Sequence, residues 1–231
     1  MNGYDTMKYT TVQITAIDQE GNTGSGSGFY MSFDKNGARI PILVTVRHVA
    51  EKASEYTLTL HYQVEGTGHI SAATLPCHPK WVMRENCEVC YCLVEPLSQE
   101  LKRLVGYRSY YRSIPEEDIL DQKALAEIEV LQPVVMLGYP LGIATQPNGY
   151  PLVRGGWTAN RPKENINAQG YLDIAAVGGS SGSPVLTSKG LKLLGVMNQT
   201  ILEGLGTNTH LGVYIEAQEI RRLTEDLGKK K

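Results

Sequence analysis

The chain has 231 residues, 42% of them apolar and 20% charged, with a formal net charge of -2. A chain of this length buries a substantial core, as one large domain or two small ones. The near-neutral charge excludes any function resting on global attraction to nucleic acid or to an anionic membrane, and no apolar run approaches the roughly 20 residues of a membrane-spanning helix.

The polar opening Met1-Asn2-Gly3-Tyr4-Asp5 lacks the charged-then-apolar pattern of a secretory leader. A cytoplasmic protein is therefore expected, with Cys77, Cys87, Cys90 and Cys92 as thiols. Cys87 and Cys90 have C-x-x-C spacing, but no second pair follows and only Cys77 and His78 lie close in sequence. Packing thiols are expected, with no metal and no cofactor.

In chain order, Thr10 to Ile17 alternates with β-branched residues and predicts a strand. Gly21 to Gly28 predicts a glycine-rich turn leading into Phe29-Tyr30-Met31; it lacks the lysine and helix of a phosphate loop. Ile40 to Val46 predicts a buried strand, and Tyr56 to Val64 and Val89 to Val94 two more. From 98 to 130 the pattern turns helical: Leu97, Leu101, Leu104 and Val105 share one face. Ser113-Ile114-Pro115-Glu116 has the form of a capping box with proline in the first turn, which predicts a second short helix. Strands resume at Val134 to Leu137, Leu152 to Arg154, Tyr171 to Ala176, Ser183 to Leu186, Leu193 to Met197 and Leu211 to Ile215. Ala217 to Leu227 predicts a closing helix, stopped by Gly228 and followed by the tail Lys229-Lys230-Lys231.

Chemistry concentrates in two runs. Gly179-Ser180-Ser181-Gly182-Ser183-Pro184-Val185 has the composition of a serine nucleophile on a tight turn. Its glycines permit backbone that a Cβ would obstruct, and its amides can converge on one developing oxyanion. Val44-Thr45-Val46-Arg47-His48-Val49 places a histidine at the end of an apolar strand, where a general base would sit.

These runs, with Gly24-Ser25-Gly26-Ser27-Gly28-Phe29, Met136-Leu137-Gly138-Tyr139-Pro140-Leu141-Gly142 and Leu194-Gly195-Val196-Met197, resemble the motifs of the trypsin-like (chymotrypsin-fold) serine peptidases. The likeness is greatest to the bacterial HtrA-like and glutamyl-endopeptidase-like branches, and it runs nearly end to end. The resemblance implies an all-β fold of two six-stranded antiparallel barrels. It divides the chain into an N-terminal barrel (1–97), a helical connection (98–130), a C-terminal barrel (131–216) and a C-terminal helix and tail (217–231). It implies Ser181 as nucleophile, His48 as general base, and the backbone N–H groups of Gly179 and Ser181 as the oxyanion hole.

The chain departs from the family pattern at the acid. After His78-Pro79 the aspartate's slot holds Cys90, and a neutral thiol does not stabilise an imidazolium as a carboxylate does. Glu88, two residues earlier, shares the face of Cys90 on a strand and is the candidate substitute; Glu95 has the opposite parity. Three states stay open: a Glu88 triad, a Ser181–His48 dyad, or an impaired enzyme kept for binding.

By position Ala175 marks the base of the primary pocket, and its lack of charge gives no support to an arginine or lysine preference. Met197 stands where glutamate-cutting relatives have histidine, with His210 able to enter from a neighbouring strand; an uncharged, apolar substrate side chain is expected. Gly195 to Asn198 is expected to offer an edge to which a substrate strand adds. The expected function is a serine endopeptidase acting on protein or peptide, with a protease-fold protein that binds a peptide or a regulatory partner as the alternative. Nucleic acid is not expected: Tyr107-Arg108-Ser109-Tyr110-Tyr111-Arg112 interleaves aromatics with arginines, but a solvated connection explains it on an acidic protein.

Overall fold

The structure, a computed structural model, describes residues 3–51, 53–202 and 208–227. It contains two largely antiparallel sheets joined by a helical segment. The first follows the path β5-β4-β1-β2-β3-β6, formed by β1 (Thr11–Ile17), β2 (Thr23–Lys35), β3 (Ala38–Val46), β4 (Glu55–Gln63), β5 (Ile70–Cys77) and β6 (Val89–Leu93). Two-residue strands β7 (Arg108–Ser109) and β8 (Ile114–Pro115) attach to β4 and β2. The second sheet closes into a barrel of six strands: β9 (Pro133–Gly138), β10 (Leu152–Thr158), β11 (Gln169–Asp173), β12 (Pro184–Thr187), β13 (Leu193–Leu202) and β14 (Asn208–Glu216). This is the chymotrypsin-like double-barrel fold, with the difference that β5 and β6 remain the two ends of an open path.

Five α-helices occur among the described residues: α1 (Gly3–Met7), α2 (Arg47–Ala50), α3 (Val94–Val105), α4 (Gln122–Ala126) and α5 (Gln218–Leu223). The helical spacing around Leu101 is realised in α3, which buries Val94, Leu97 and Leu101 and ends at Gly106 in the left-handed conformation (φ 85°). No helix among the described residues is long and apolar enough to cross a membrane.

Three local expectations are corrected. The glycine run after Asn22 is strand rather than turn, since β2 already pairs with β1 from Thr23. Its glycines serve close packing: a Cβ on Gly26 would lie 2.6 Å from Val49 Cγ1, and one on Gly28 3.0 Å from the carbonyl of Val44. The capping-box segment starts no helix at Ser113. Ile114 is buried and pairs in parallel with Met31, so the sheet edge claims this backbone; only a single 3-10 turn, without a side-chain cap, follows at Glu116–Asp118, and the α-helix begins at Gln122, where Asp121 accepts from the N–H of Ala124 at 2.8 Å. The closing helix is shorter than expected, with Thr224 as its C-cap. The Gly228 stop and the lysine tail lie outside the described residues. Strand β5, which pairs with β4 along its whole length, was not among the expected elements.

Packing explains why the barrels hold together. One continuous core holds Phe29, Leu43, Val44 and Leu58 from the first sheet, and Leu137, Val196, Ile215 and Ile220 from the second barrel and α5. A smaller cluster around Met136, Leu172, Met197 and Tyr214 fills the second barrel. Burial of this apolar surface is the main favourable term, and it fixes the facing ends of β3 and β12, from which the base and nucleophile segments leave.

Candidate active site

His48 lies in the single turn of α2, directly after β3. Val49 and Ala50 are buried beneath this turn and hold it, while His48 itself is exposed. Arg47 pins the turn further: its N–H donates to the Glu88 carbonyl at 2.7 Å, and its guanidinium pairs with Glu51 at 3.1 Å.

Ser181 lies in the loop between β11 and β12. Gly179 and Gly182 on either side have φ of 88° and 86°, a region that favours glycine. Space requires glycine as well. A Cβ on Gly182 would overlap the Ser27 carbonyl oxygen and Thr45 Oγ1, and one on Gly179 would overlap the Tyr139 carbonyl. The loop is laced to both barrels. The Ser27 N–H donates to the Ser181 carbonyl at 2.7 Å, the Gly182 N–H to the Met197 carbonyl at 2.7 Å, and the Leu141 N–H to the Gly178 carbonyl at 2.6 Å. The fully buried Ser27 hydroxyl donates to the Gly179 carbonyl at 2.8 Å and accepts from the Tyr139 N–H at 3.0 Å.

With the Gly178 and Gly179 carbonyls both engaged away from the loop, the N–H groups of Gly179 and Ser181 take no acceptor among the described residues. Ser180 is buried and closes the turn, its N–H donating to the Val177 carbonyl at 3.0 Å. Ser183 is fully buried. Of the three serines here, Ser181 is the one that lines a cavity.

That cavity, of about 330 Å³, is lined by His48, Val177, Gly178, Ser181, Asn198, Gln199, Thr200 and Leu202. His48 from the first sheet and Ser181 from the second barrel thus face one space. In this state the Ser181 hydroxyl donates to the backbone carbonyl of Asn198 at 2.8 Å. A proton committed there must turn toward a base before the oxygen can act as a nucleophile.

Glu88 is placed elsewhere. It lines a separate cavity of about 500 Å³ with Asn86, Asn167, Ala168, Gln169, Ile215, Glu219 and Arg222. Cys90, in the acid's strand position, pairs with Thr45 and is fully buried; its thiol donates to the Thr45 carbonyl at 3.7 Å. Burial pushes this thiol far above the ordinary thiol range, so it stays neutral. All four cysteines are free and buried, and no cluster of metal-binding side chains occurs among the described residues.

The expected substrate-contact residues divide. Gly195 and Met197 belong to the barrel wall: Gly195 pairs with Val185 on one side and Glu216 on the other, and Met197 is 1% exposed inside the smaller core. The β12–β13 ladder ends at Val196, and Met197 still exchanges hydrogen bonds with Ser183 and Gly182, so on this side the strand lies outside the pairing only from Asn198 onward. The cavity wall lies further along the strand, from Asn198 to Leu202. Ala175 is half-buried and His210 exposed with φ 62°, and neither lines the cavity. Sequence reasoning missed Ser27 and Asn198. Their signal was present as a serine amid strand glycines and as a polar residue ending the apolar run Leu193 to Met197.

The fold is that of the chymotrypsin-like serine proteases, among them the HtrA-type enzymes. No protein-family model and no curated protein matches the sequence. Solved structures do match the fold. The Rv3671c protease from M. tuberculosis in its active form superposes with a TM-score of 0.63 at 14% identity, covering 99% of this chain and 85% of that one. The HtrA-type protease AlgW with a tripeptide gives a TM-score of 0.62 at 13% identity, covering 97% of this chain; this chain spans 62% of AlgW. The thermostable serine protease AL20 from an extremophilic microorganism gives 0.58 at 13% identity, covering 97% of this chain and 99% of that one.

Proposed function

We propose that the protein is a serine endopeptidase in which Ser181 is the nucleophile and His48 the general base. One observation carries the reading: His48 from the first sheet's side and Ser181 from the second barrel line one cavity beside a glycine turn whose Gly179 and Ser181 N–H groups have no acceptor among the described residues. In the proposed reaction the Ser181 hydroxyl turns from the Asn198 carbonyl toward His48, which takes its proton as Oγ attacks the substrate carbonyl carbon. The negative oxygen of the tetrahedral intermediate accepts from the N–H groups of Gly179 and Ser181. Collapse expels the amine, which takes the proton from His48, and leaves an acyl-enzyme on Ser181. Water, deprotonated by His48, then releases the acid.

Glu88 lies at the other cavity, which favours a dyad over a Glu88 triad. A neutral substrate side chain suits the cavity, whose lining among the described residues carries no Asp, Glu, Lys or Arg. AlgW is described with a tripeptide, and a peptide laid along Asn198 to Leu202 is the substrate proposed here. Four free, buried cysteines fit a reducing compartment such as the cytoplasm.

A second reading has its own support. The Ser181 proton is committed to a carbonyl and Cys90 replaces the usual acid, which suits a protease-fold protein that captures a peptide without cutting it. Labelling with a fluorophosphonate, followed by hydrolysis of a neutral peptide library, separates the two. Labelling with turnover is expected; peptide binding without labelling overturns the endopeptidase reading in favour of the second.

A further inference from the structure

Strand β13 changes register at Asn198. Met197 pairs with Tyr214 and Gln199 with Val213, so Asn198 is the extra residue of a bulge. A bulge takes one residue out of the strand's alternation and re-aims its side chain. Here the backbone carbonyl of Asn198 turns to Ser181, whose hydroxyl it accepts at 2.8 Å. The side chain turns inward: Asn198 is 6% exposed, and its Oδ1 is buried with no hydrogen-bond partner among the described residues. The same residue lines the cavity that holds His48 and Ser181.

A buried amide oxygen without a donor is uncommon in folded proteins and calls for an explanation. Potential side-chain donors among the cavity-lining residues are few. The Ser181 hydroxyl is engaged with the carbonyl, Gln199 is exposed, and Thr200 lies beyond the bulge. The imidazole of His48 lines the same cavity, and as an exposed side chain it changes rotamer quickly.

We propose that Asn198 is the positioning residue for His48: its Oδ1 accepts the proton of the imidazole nitrogen facing away from Ser181, in the role a carboxylate has in a complete triad. The proposal rests on the reading of Ser181 and His48 as nucleophile and base. The bond forms when the exposed imidazole swings into the cavity, a change the free protein samples before any substrate binds; one bulged residue thus holds the serine through its carbonyl and the histidine through its side chain. An amide oxygen selects the tautomer with Nδ1 protonated and Nε2 free to accept. Being neutral, it supports the imidazolium less than a carboxylate does. Cys90 does not supply this function, because its thiol is buried against the Thr45 carbonyl.

Imidazole NMR on the full chain tests the assignment without requiring turnover. In the parent, with His48 assigned by loss of its signals in His48→Gln, the ring 15N shifts are expected to report protonated Nδ1. In Asn198→Asp the titration midpoint of His48 should rise by about one to three pH units, because a carboxylate then stands beside the ring. In Asn198→Ala, kcat should fall at least tenfold with KM little changed; in Asn198→Asp, kcat should recover with its acidic limb moved to higher pH. An Nε2-protonated ring in the parent, or a His48 midpoint unmoved in a folded Asn198→Asp protein, overturns the proposal. If Asn198→Asp does not fold, the parent's tautomer decides. Fluorophosphonate labelling keeps the two readings apart. Labelling of Ser181 without the NMR signature sinks the role of Asn198 alone, whereas the NMR signature without labelling sinks the endopeptidase reading and leaves the contact between Asn198 and His48 standing.

Discussion

The hydroxyl of Ser27 donates a 2.8 Å hydrogen bond to the carbonyl of Gly179 across 152 residues of sequence. The same oxygen accepts from the N–H of Tyr139. Ser27 also spends its backbone groups here: its N–H goes to the Ser181 carbonyl, and its own carbonyl accepts from Thr45 Oγ1 at 2.7 Å. A residue of the first sheet thus sets the conformation of the nucleophile turn in the second barrel. Turning the Gly179 carbonyl away is what leaves the neighbouring N–H groups free for an oxyanion.

Ser27→Ala removes a donor and an acceptor from a fully buried site. The Gly179 carbonyl and the Tyr139 N–H then lack partners, at a cost of about 2–4 kcal/mol. For a chain of this size that lowers Tm by about 5–15 °C. Turnover should fall by a factor of ten or more because the oxyanion donors lose their aim. Thermal denaturation and peptide hydrolysis check both arms; unchanged turnover in the folded variant would show that the turn holds itself.

Ser181 is expected to be the serine that a fluorophosphonate modifies. Ser180 and Ser183 are buried, whereas Ser181 lines the cavity. Mass mapping of the adduct decides, and modification of Ser180 or Ser183 with Ser181 untouched would reverse the assignment.

Gly182→Ala should be far more damaging than an ordinary glycine substitution. The residue sits at φ 86°, and the added methyl would overlap the Ser27 carbonyl and Thr45 Oγ1. Backbone does not yield as a flexible side chain does, so a loss of about 4 kcal/mol or more is expected, large enough to abolish a folded yield in some conditions. Gly155→Ala, where a Cβ meets nothing within 4 Å, is the control, measured by denaturant unfolding.

Glu88→Gln should leave turnover within about twofold of the parent, since Glu88 lines a different cavity from His48 and Ser181. A triad acid neutralised in this way would instead cost about four orders of magnitude in kcat, the magnitude established for the chymotrypsin-type aspartate. Steady-state kinetics separate these outcomes without ambiguity. Cys90→Asp is the companion variant: a gain in turnover would show that the acid's strand position still addresses His48.

The buried thiols make stability fall at alkaline pH. Burial raises the Cys77 thiol from near 9 to about 11 and pushes Cys90 and Cys92 higher still. Between those values the unfolded chain has released protons that the folded chain retains, so unfolding gains with each step in pH. Stability is therefore complete below about pH 9 and declines from there toward pH 11. Urea midpoints measured across that window should fall steadily. A thiol reagent at pH 8 should find no reactive cysteine in the native protein and four after denaturation.

Much of this molecule was legible from local pattern. Alternation in Thr10 to Ile17, the apolar run ending at Val46 and the helical spacing around Leu101 each reported an element, because burying one face imposes its period on the sequence. The glycines flanking Ser181 reported a turn that only glycine adopts. Other features belonged to contacts between distant segments. Gly24 to Gly28 read as a turn because nothing local revealed that Val49 and Val44 would press against them. Ile114 was claimed by Met31 across more than eighty residues, and no capping pattern competes with a buried strand edge. Glu88 was the carboxylate nearest in sequence to the missing acid, yet it lies in the bend before β6 and lines another cavity. Asn198, whose one local signal was a polar residue ending an apolar run, is brought to Ser181 by the bulge in β13 where it pairs with β14. Residue types and spacing determined which groups have the means for chemistry; the register of the paired strands decided which of them meet.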